Sequence, residues 1–296
     1  MIDGKMTNLK NKTFIFLCLP GFFLISWGLT GCNYLFYYPN QLLYSTPAQF
    51  RLDFETVEFS SKDGTKLKGW FIPAHNVKNA KGTVIQFHGN AQNMSSHYRS
   101  LIWLPHHGYN LFTFDYRGFG LSEGEPDHHG PVFDSVAAID YVRNRTGENS
   151  GKLILLGQSI GGALAVAAAT HGSKDGVKAV VIESSFSSFQ RITRDKLGEV
   201  SLTWPFQWPL SLIFVRDTYS PEDWVDQLSP VPVLFIHGTA DTVVNYYHSE
   251  ILYRAAREPK YFWTIEGGQH IQAFIRFDSI YREKLLNFLN QMLEVK

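Results

Sequence analysis

Leu153 to Thr170 reads LILLGQSIGGALAVAAAT. Four aliphatic residues run into Gly157-Gln158-Ser159-Ile160-Gly161, and small apolar residues follow. A strand, a tight turn and a helix in that order put a serine at the tip of a strained strand-to-helix connection. Side chains at the two flanking glycines would clash in such a turn. The helix that follows aims its dipole and its unpaired first amides at the serine, where an oxyanion would form. Ser159 is therefore the candidate nucleophile.

A serine hydroxyl is a weak nucleophile without a base, and a base needs a group that orients it. Downstream, the strand pattern Val233–Ile236 ends in His237-Gly238-Thr239-Ala240-Asp241, and the last strand pattern, Tyr261–Ile265, ends in Glu266-Gly267-Gly268-Gln269-His270. Both segments fall at the carboxyl ends of strands, where catalytic groups gather in open α/β sheets. The expected arrangement is Ser159 as nucleophile, His270 as base and Asp241 as its orienting acid. His237 and His248 are the rival bases; His270 is favoured because it lies beyond the final strand. Upstream, Thr83–Phe87 runs into His88-Gly89-Asn90-Ala91, a turn able to present amides. The backbone N–H groups of Asn90 and Ile160 are the expected oxyanion donors. His88 reads as a residue that holds this loop.

Further strand patterns occur at Leu111–Phe114 and Ala179–Ile182, without period-two alternation, as in strands buried on both faces. Helical spacing marks Ser95–Leu104, Val132–Val142, Gly162–Thr170, Tyr247–Ala256 and Phe274–Leu293. The alternation predicts an α/β fold: a mostly parallel sheet with helices on both faces. Phe54–Ser60 and Thr65–Ile72, around Lys62-Asp63-Gly64, add an antiparallel hairpin. The connection after Ile182 is long and rich in Trp, Phe and Pro, so residues from about 184 to 230 are expected to form a small cap over a pocket.

Taken together, FHGNAQN (87–93), FDYRGFGLSEG (114–124), GQSIGG, HGTADTVV (237–244) and GGQH resemble, in order, the α/β-hydrolase fold family, and within it the serine-aminopeptidase and dienelactone-hydrolase-like branch. The resemblance covers about residues 50 to 295. It implies a serine hydrolase working through an acyl-enzyme on a small-molecule ester or acyl substrate, without metal or cofactor. It also makes Asp115-Tyr116-Arg117-Gly118 a structural signature. A serine peptidase or aminopeptidase is the alternative activity, and a non-catalytic ligand-binding lipoprotein the alternative class.

Composition narrows the field. Lys and Arg together number 27, as do Asp and Glu, so the basic surface that nucleic acid requires is missing. GxGxxG fails after Gly118-Phe119-Gly120, and neither GxxxxGK[ST] nor HExxH occurs. His106-His107 and His128-His129 read as solvated loop residues, without ligand partners at metal spacing.

The amino terminus reads as an address. Lys5, Lys10 and Lys12 precede Thr13–Leu29, an apolar stretch, and no charged residue recurs until Arg51. Leu29-Thr30-Gly31-Cys32 resembles the lipobox of bacterial lipoproteins, which implies cleavage before Cys32 and lipidation of its thiol. Residues 1–31 are thus expected to be a signal peptide, 32–50 a tether, and 51–296 the hydrolase domain. The protein is expected to be membrane-anchored and extracytoplasmic. With both cysteines in the first 32 residues, a disulfide framework is excluded.

Overall fold

The computed structural model describes residues 36–145 and 151–294. Ten strands occur among the described residues. Two are short, β1 (Tyr38–Pro39) and β5 (Ala91–Gln92), and pair with each other in parallel. The other eight are β2 (Glu55–Ser60), β3 (Lys66–Ile72), β4 (Thr83–Phe87), β6 (Asn110–Phe114), β7 (Leu153–Gln158), β8 (Val177–Glu183), β9 (Val233–Gly238) and β10 (Lys260–Ile265). They form one sheet in the order β10-β9-β8-β7-β4-β6-β3-β2. β3 is antiparallel to both β2 and β6, and every other pairing is parallel. This is the mostly parallel sheet with an antiparallel hairpin edge expected from the apolar runs, and it agrees with the fold that the motif resemblance implies.

The central strands lack alternation because both faces are covered. Every residue of β4, β6, β7 and β9 is buried. Ile85, Phe87 and Leu155 pack into a core on one face with helices α2 (Gly130–Asn144) and α3 (Ile160–His171), which follow the one-turn helix α1 (Met94–His97). Val84, Ile154 and Leu156 pack into a second core on the other face, with Tyr98, Leu285 and Leu289. In the hairpin, Gly64 takes a φ of +90°, which a side chain would resist.

Between β8 and β9 the chain builds helices α4 (Phe189–Gly198) and α5 (Gln207–Phe214), joined and followed by 3-10 turns. Two further helices are α6 (Tyr247–Ala255) and α7 (Asp278–Glu294). Among the described residues no helix is long and apolar enough to cross a membrane, and no group of three or more His, Cys, Asp or Glu could hold a metal ion.

Two helical patterns end differently from their periodicity. Ser95–Leu104 is not one helix: α1 stops at His97, and 3-10 turns follow at Tyr98–Ser100 and Leu104–His107. The His97 carbonyl accepts instead from Gln86 Nε2 and Ser100 Oγ. The last helix starts at Asp278, not Phe274; the residues before it form turns in which the N–H groups of Arg276 and Phe277 share Gln272 O. The Arg282 guanidinium takes the Phe274 carbonyl at 2.8 Å.

Asp115 and Arg117 do act structurally. Asp115 Oδ1 accepts the Met94 N–H at 2.7 Å. Arg117 is buried and donates to Asp134 through Nε, Nη2 and its own backbone N–H, and to Asp63 on the hairpin. The pair ties α2 to the loop after β6.

His128 departs from the solvated reading. It is buried between Tyr219 and Phe189, and neither ring nitrogen makes a hydrogen bond to the protein. Burial first, then the neighbouring His129 and Arg216, push its pKa down to about 4, against weaker opposition from Asp127 and Asp217. The folded protein thus refuses a proton that the unfolded chain accepts below about pH 6.5. Stability should fall as pH drops from about 6.5 toward 4, by roughly 2 to 3 kcal/mol at pH 4.5 from this residue alone. His128→Phe removes that contribution. Urea unfolding at pH 7 and pH 4.5 should show a smaller acid loss in the variant than in the wild type, and equal losses would contradict the assignment.

Candidate active site

The backbone at Ser159 carries the strain the turn requires, with φ 57° and ψ −125°. A Cβ on Gly157 would lie 2.3 Å from Gly161 O, and one on Gly161 would lie 2.1 Å from Phe87 O. The turn is therefore packed backbone against backbone, between β4 and the start of α3. The Ser159 N–H donates to Glu183 O at 2.9 Å, so the end of β8 holds the turn from its other side. Ile160 is the first residue of α3, and the first amides of a helix have no partner within it.

Ser159, Asn90 and Ile160 line one pocket of about 480 Å³. The Asn90 N–H has no acceptor among the described residues. The loop that carries it is braced by the amino-terminal segment: the Tyr38 N–H donates to Asn90 O at 2.8 Å, and Asn93 Nδ2 donates to the carbonyls of Asn40 and Leu42. Phe36 and Tyr38 from that segment also line the pocket, and the cap contributes Ile192, Leu197 and Val215. Lys196 is the charged residue in the lining, and no carboxylate belongs to it.

Asp241 and His270 come together, with His270 Nδ1 2.8 Å from Asp241 Oδ2. Asp241 Oδ1 accepts the N–H groups of Val243 and Val244, both at 2.9 Å. Burial alone would raise its pKa, but the hydrogen bonds from His237 and His270, with the Val244 N–H, hold it well below the usual carboxylate range. The acid is a charged acceptor in a dry place, suited to orienting an imidazole and stabilising its protonated form. No hydrogen bond joins Ser159 to His270 in the structure; such contacts often tighten only in the Michaelis complex.

The rival histidines have other partners, and one of them also touches the acid: His237 Nε2 lies 3.3 Å from Asp241 Oδ2. His248 is buried, with Nε2 3.1 Å from Asp195 Oδ2 and Nδ1 accepting the Ser187 N–H. His237 is buried too, with Nδ1 2.6 Å from Ser249 Oγ and Nε2 2.8 Å from Val244 O. His88 lies fully buried, Nε2 3.5 Å from Asp115, in a loop-holding position.

Sequence reasoning missed Glu183. It ends β8 and is fully buried, with Oε2 accepting Gln158 Nε2 at 2.7 Å and Oε1 accepting the Ala273 N–H at 2.9 Å. One carboxylate thus joins the residue before the nucleophile to the loop that carries His270. Burial raises its pKa, against the hydrogen bonds from Gln158 and Ala273. The signal was present: a lone acid closing the buried run VKAVVIE. The residues of the apolar leader and Cys32 lie outside the described residues.

A larger groove of about 1010 Å³, lined by Phe59, Lys62, Phe133, Tyr141 and Arg145 among others, shares no residue with the Ser159 pocket and holds no nucleophilic serine–histidine pair.

The family profile described as alpha/beta hydrolase fold matches residues 82–219. The chain is 30% identical to the alpha/beta hydrolase domain-containing protein WAV2 of Arabidopsis thaliana, over 83% of this chain and 82% of that protein. The chain belongs to the α/β-hydrolase fold family. It is also 40% identical to the uncharacterized protein YfhR of Escherichia coli O157:H7, over 92% of this chain and 94% of that protein. A solved esterase of Pyrococcus furiosus has a similar fold, with a TM-score of 0.69 at 19% identity, covering 86% of this chain and 98% of that one. Membership of this family supports a hydrolase.

The backbone packing at the turn is testable. Gly161→Ala would force its methyl onto the Phe87 carbonyl, a site with no flexible side chain to move aside. The variant should lose about 3 kcal/mol or more of stability and nearly all labelling by a fluorophosphonate. Wild-type labelling and an unchanged urea midpoint would show that the turn has slack.

Proposed function

We propose that the protein is a membrane-tethered serine hydrolase of carboxylic esters or thioesters. In this reading Ser159 Oγ attacks the acyl carbonyl while His270 Nε2 takes its proton, and Asp241 stabilises the imidazolium through Nδ1–H. The N–H groups of Asn90 and Ile160 receive the oxyanion. His270 then hands the proton to the departing alkoxide or thiolate, and water, activated by the same base, releases the acid from Ser159.

The observation that carries the substrate class is the lining of the Ser159 pocket. It is apolar, and its charged member is a cation, Lys196. An aminopeptidase of this fold needs an anion for the substrate's ammonium group. No cap acid lines the pocket: Asp195 is held by His248 and Tyr247, Asp217 by Ser188 and the Gln190 N–H, and Glu199 pairs with Lys196 from outside the lining. An apolar lining instead rewards acyl chain length, at about 0.8 kcal/mol per buried methylene until the space is full. A non-catalytic binding protein is less well supported, because nucleophile, base and acid are all retained.

For p-nitrophenyl esters from acetate to dodecanoate, kcat/KM should rise and then level off, and exceed that for aminoacyl and prolyl p-nitroanilides after correction for leaving-group reactivity. Ser159→Ala should abolish fluorophosphonate labelling, and His270→Ala should lower kcat by several orders of magnitude with little change in KM. Normal turnover in His270→Ala with loss in His248→Ala would identify a different base.

The anchor is part of the same proposal. An apolar leader followed by Leu29-Thr30-Gly31-Cys32 supports cleavage before Cys32 and lipidation, with the domain outside the cytoplasm. Cys32→Ser should abolish metabolic labelling by a fatty acid and leave the precursor uncleaved. An intact mass retaining residues 1–31 in the wild type would rule the lipoprotein form out.

A further inference from the structure

The cap turns an unusual face to solvent. From Val200 to Val215 there is no charged residue, and Leu202, Trp204, Phe206, Trp208, Leu212 and Ile213 are each more than half exposed, Leu202 at 82%. Three aromatic rings exposed to that extent leave on the order of 300 Å² of apolar surface in water, as much as the largest patch on many monomeric proteins. None of the six lines the Ser159 pocket. The substrate space therefore does not account for them.

The chain outside the structure indicates what covers this face. The apolar leader ends at Leu29, and the described chain begins at Phe36, whose ring packs 5.1 Å from that of Phe189, the first residue of cap helix α4. Seven residues span at most about 25 Å, and the four from Cys32 at most about 14 Å. Whether the leader stays in the membrane or a lipid on Cys32 replaces it, Phe36 cannot be farther than that from the anchor. Phe36 lines the pocket together with cap residues Ile192, Leu197 and Val215, and helices α4 and α5 pack on each other. The pocket, and the cap that frames it, are therefore held close to the bilayer.

The composition suits the boundary between headgroups and acyl chains, where tryptophan is favoured and apolar side chains enter. Trp208 also carries the Arg194 guanidinium over its ring, 4.3 Å from the centroid, so a cation sits against this apolar side chain. We infer that the uncharged cap face from Val200 to Val215 docks into the bilayer interface, so that the pocket takes amphiphilic acyl esters from the membrane. The inference rests on the anchoring and ester readings above.

The test uses the full chain in vesicles of phosphatidylethanolamine and phosphatidylglycerol (3:1) whose acyl chains carry bromine, a short-range quencher of tryptophan. Trp27→Phe first removes the tryptophan of the leader. In this background docking should quench roughly a third of the emission, the share of Trp204 and Trp208 among the six remaining tryptophans. Adding Trp204→Phe and Trp208→Phe should remove most of the quenching. No quenching in Trp27→Phe overturns the inference, as does quenching that survives the two further substitutions. Co-sedimentation with the vesicles reports the anchor separately, and quenching is read whether or not any ester is turned over. Absent quenching with a dimer that dissociates in Leu202→Ser/Trp204→Ser would assign the face to a second copy of this chain.

Discussion

Backbone packed on backbone, without room for a side chain, positions Ser159. The glycines on either side let β4, the turn and the start of α3 approach to distances that any Cβ would prevent. This contact needs β7 to lie between β4 and β8, the order the sheet adopts. It also needs α3 to lie flat against the sheet, and that helix is built largely of alanine and glycine, nearly all buried. A serine at positive φ is unfavourable by itself. It persists because the strand, the helix and the Glu183 carbonyl leave the backbone no other path.

Two buried carboxylates near this turn have different environments and so different uses. Asp241 receives two backbone N–H groups and lies beside two histidines, which keep it ionised at low pH. Glu183 receives one amide side chain and one backbone N–H, and its burial raises its pKa. Pairs of acids whose environments push them apart commonly divide the work of a site. Here the low-pKa member faces the imidazole. The other joins Gln158, next to Ser159, to the loop that carries His270, without a hydrogen bond to either side chain.

Much of this was legible in the chain itself. The six apolar runs became parallel strands, and in the central ones burial on both faces removes alternation and leaves hydrophobicity as the signal, while the edge strand β10 is only partly buried. The glycine-flanked serine was legible for the same reason that it is constrained, since only glycine fits there. What escaped detection involves partners distant in sequence. The helix read at Ser95–Leu104 breaks at His97, whose carbonyl is taken by Gln86 from β4, not through poor periodicity. His128 looked like a loop residue because nothing local shows that Tyr219, some ninety residues on, will cover it. Glu183 stands out only once Gln158 and Ala273 are seen to converge on it.

The two-residue strand β1 has an effect larger than its size. A parallel pair of two residues cannot hold itself together, yet this one is supported by Asn93, by the Gly120 N–H on Asn40 O, and by Tyr37 buried beside Phe119. Its bond partner is the carbonyl of Asn90, so the segment leading from the amino terminus fixes the loop whose amide faces the pocket. Pulling on that segment would act first on Asn90. In an ordinary tether the chain between anchor and domain is a free linker, and its tension is lost in loose residues. Here Phe36 and Tyr38 belong to the pocket wall, so this segment is part of the frame of the site and not a free linker.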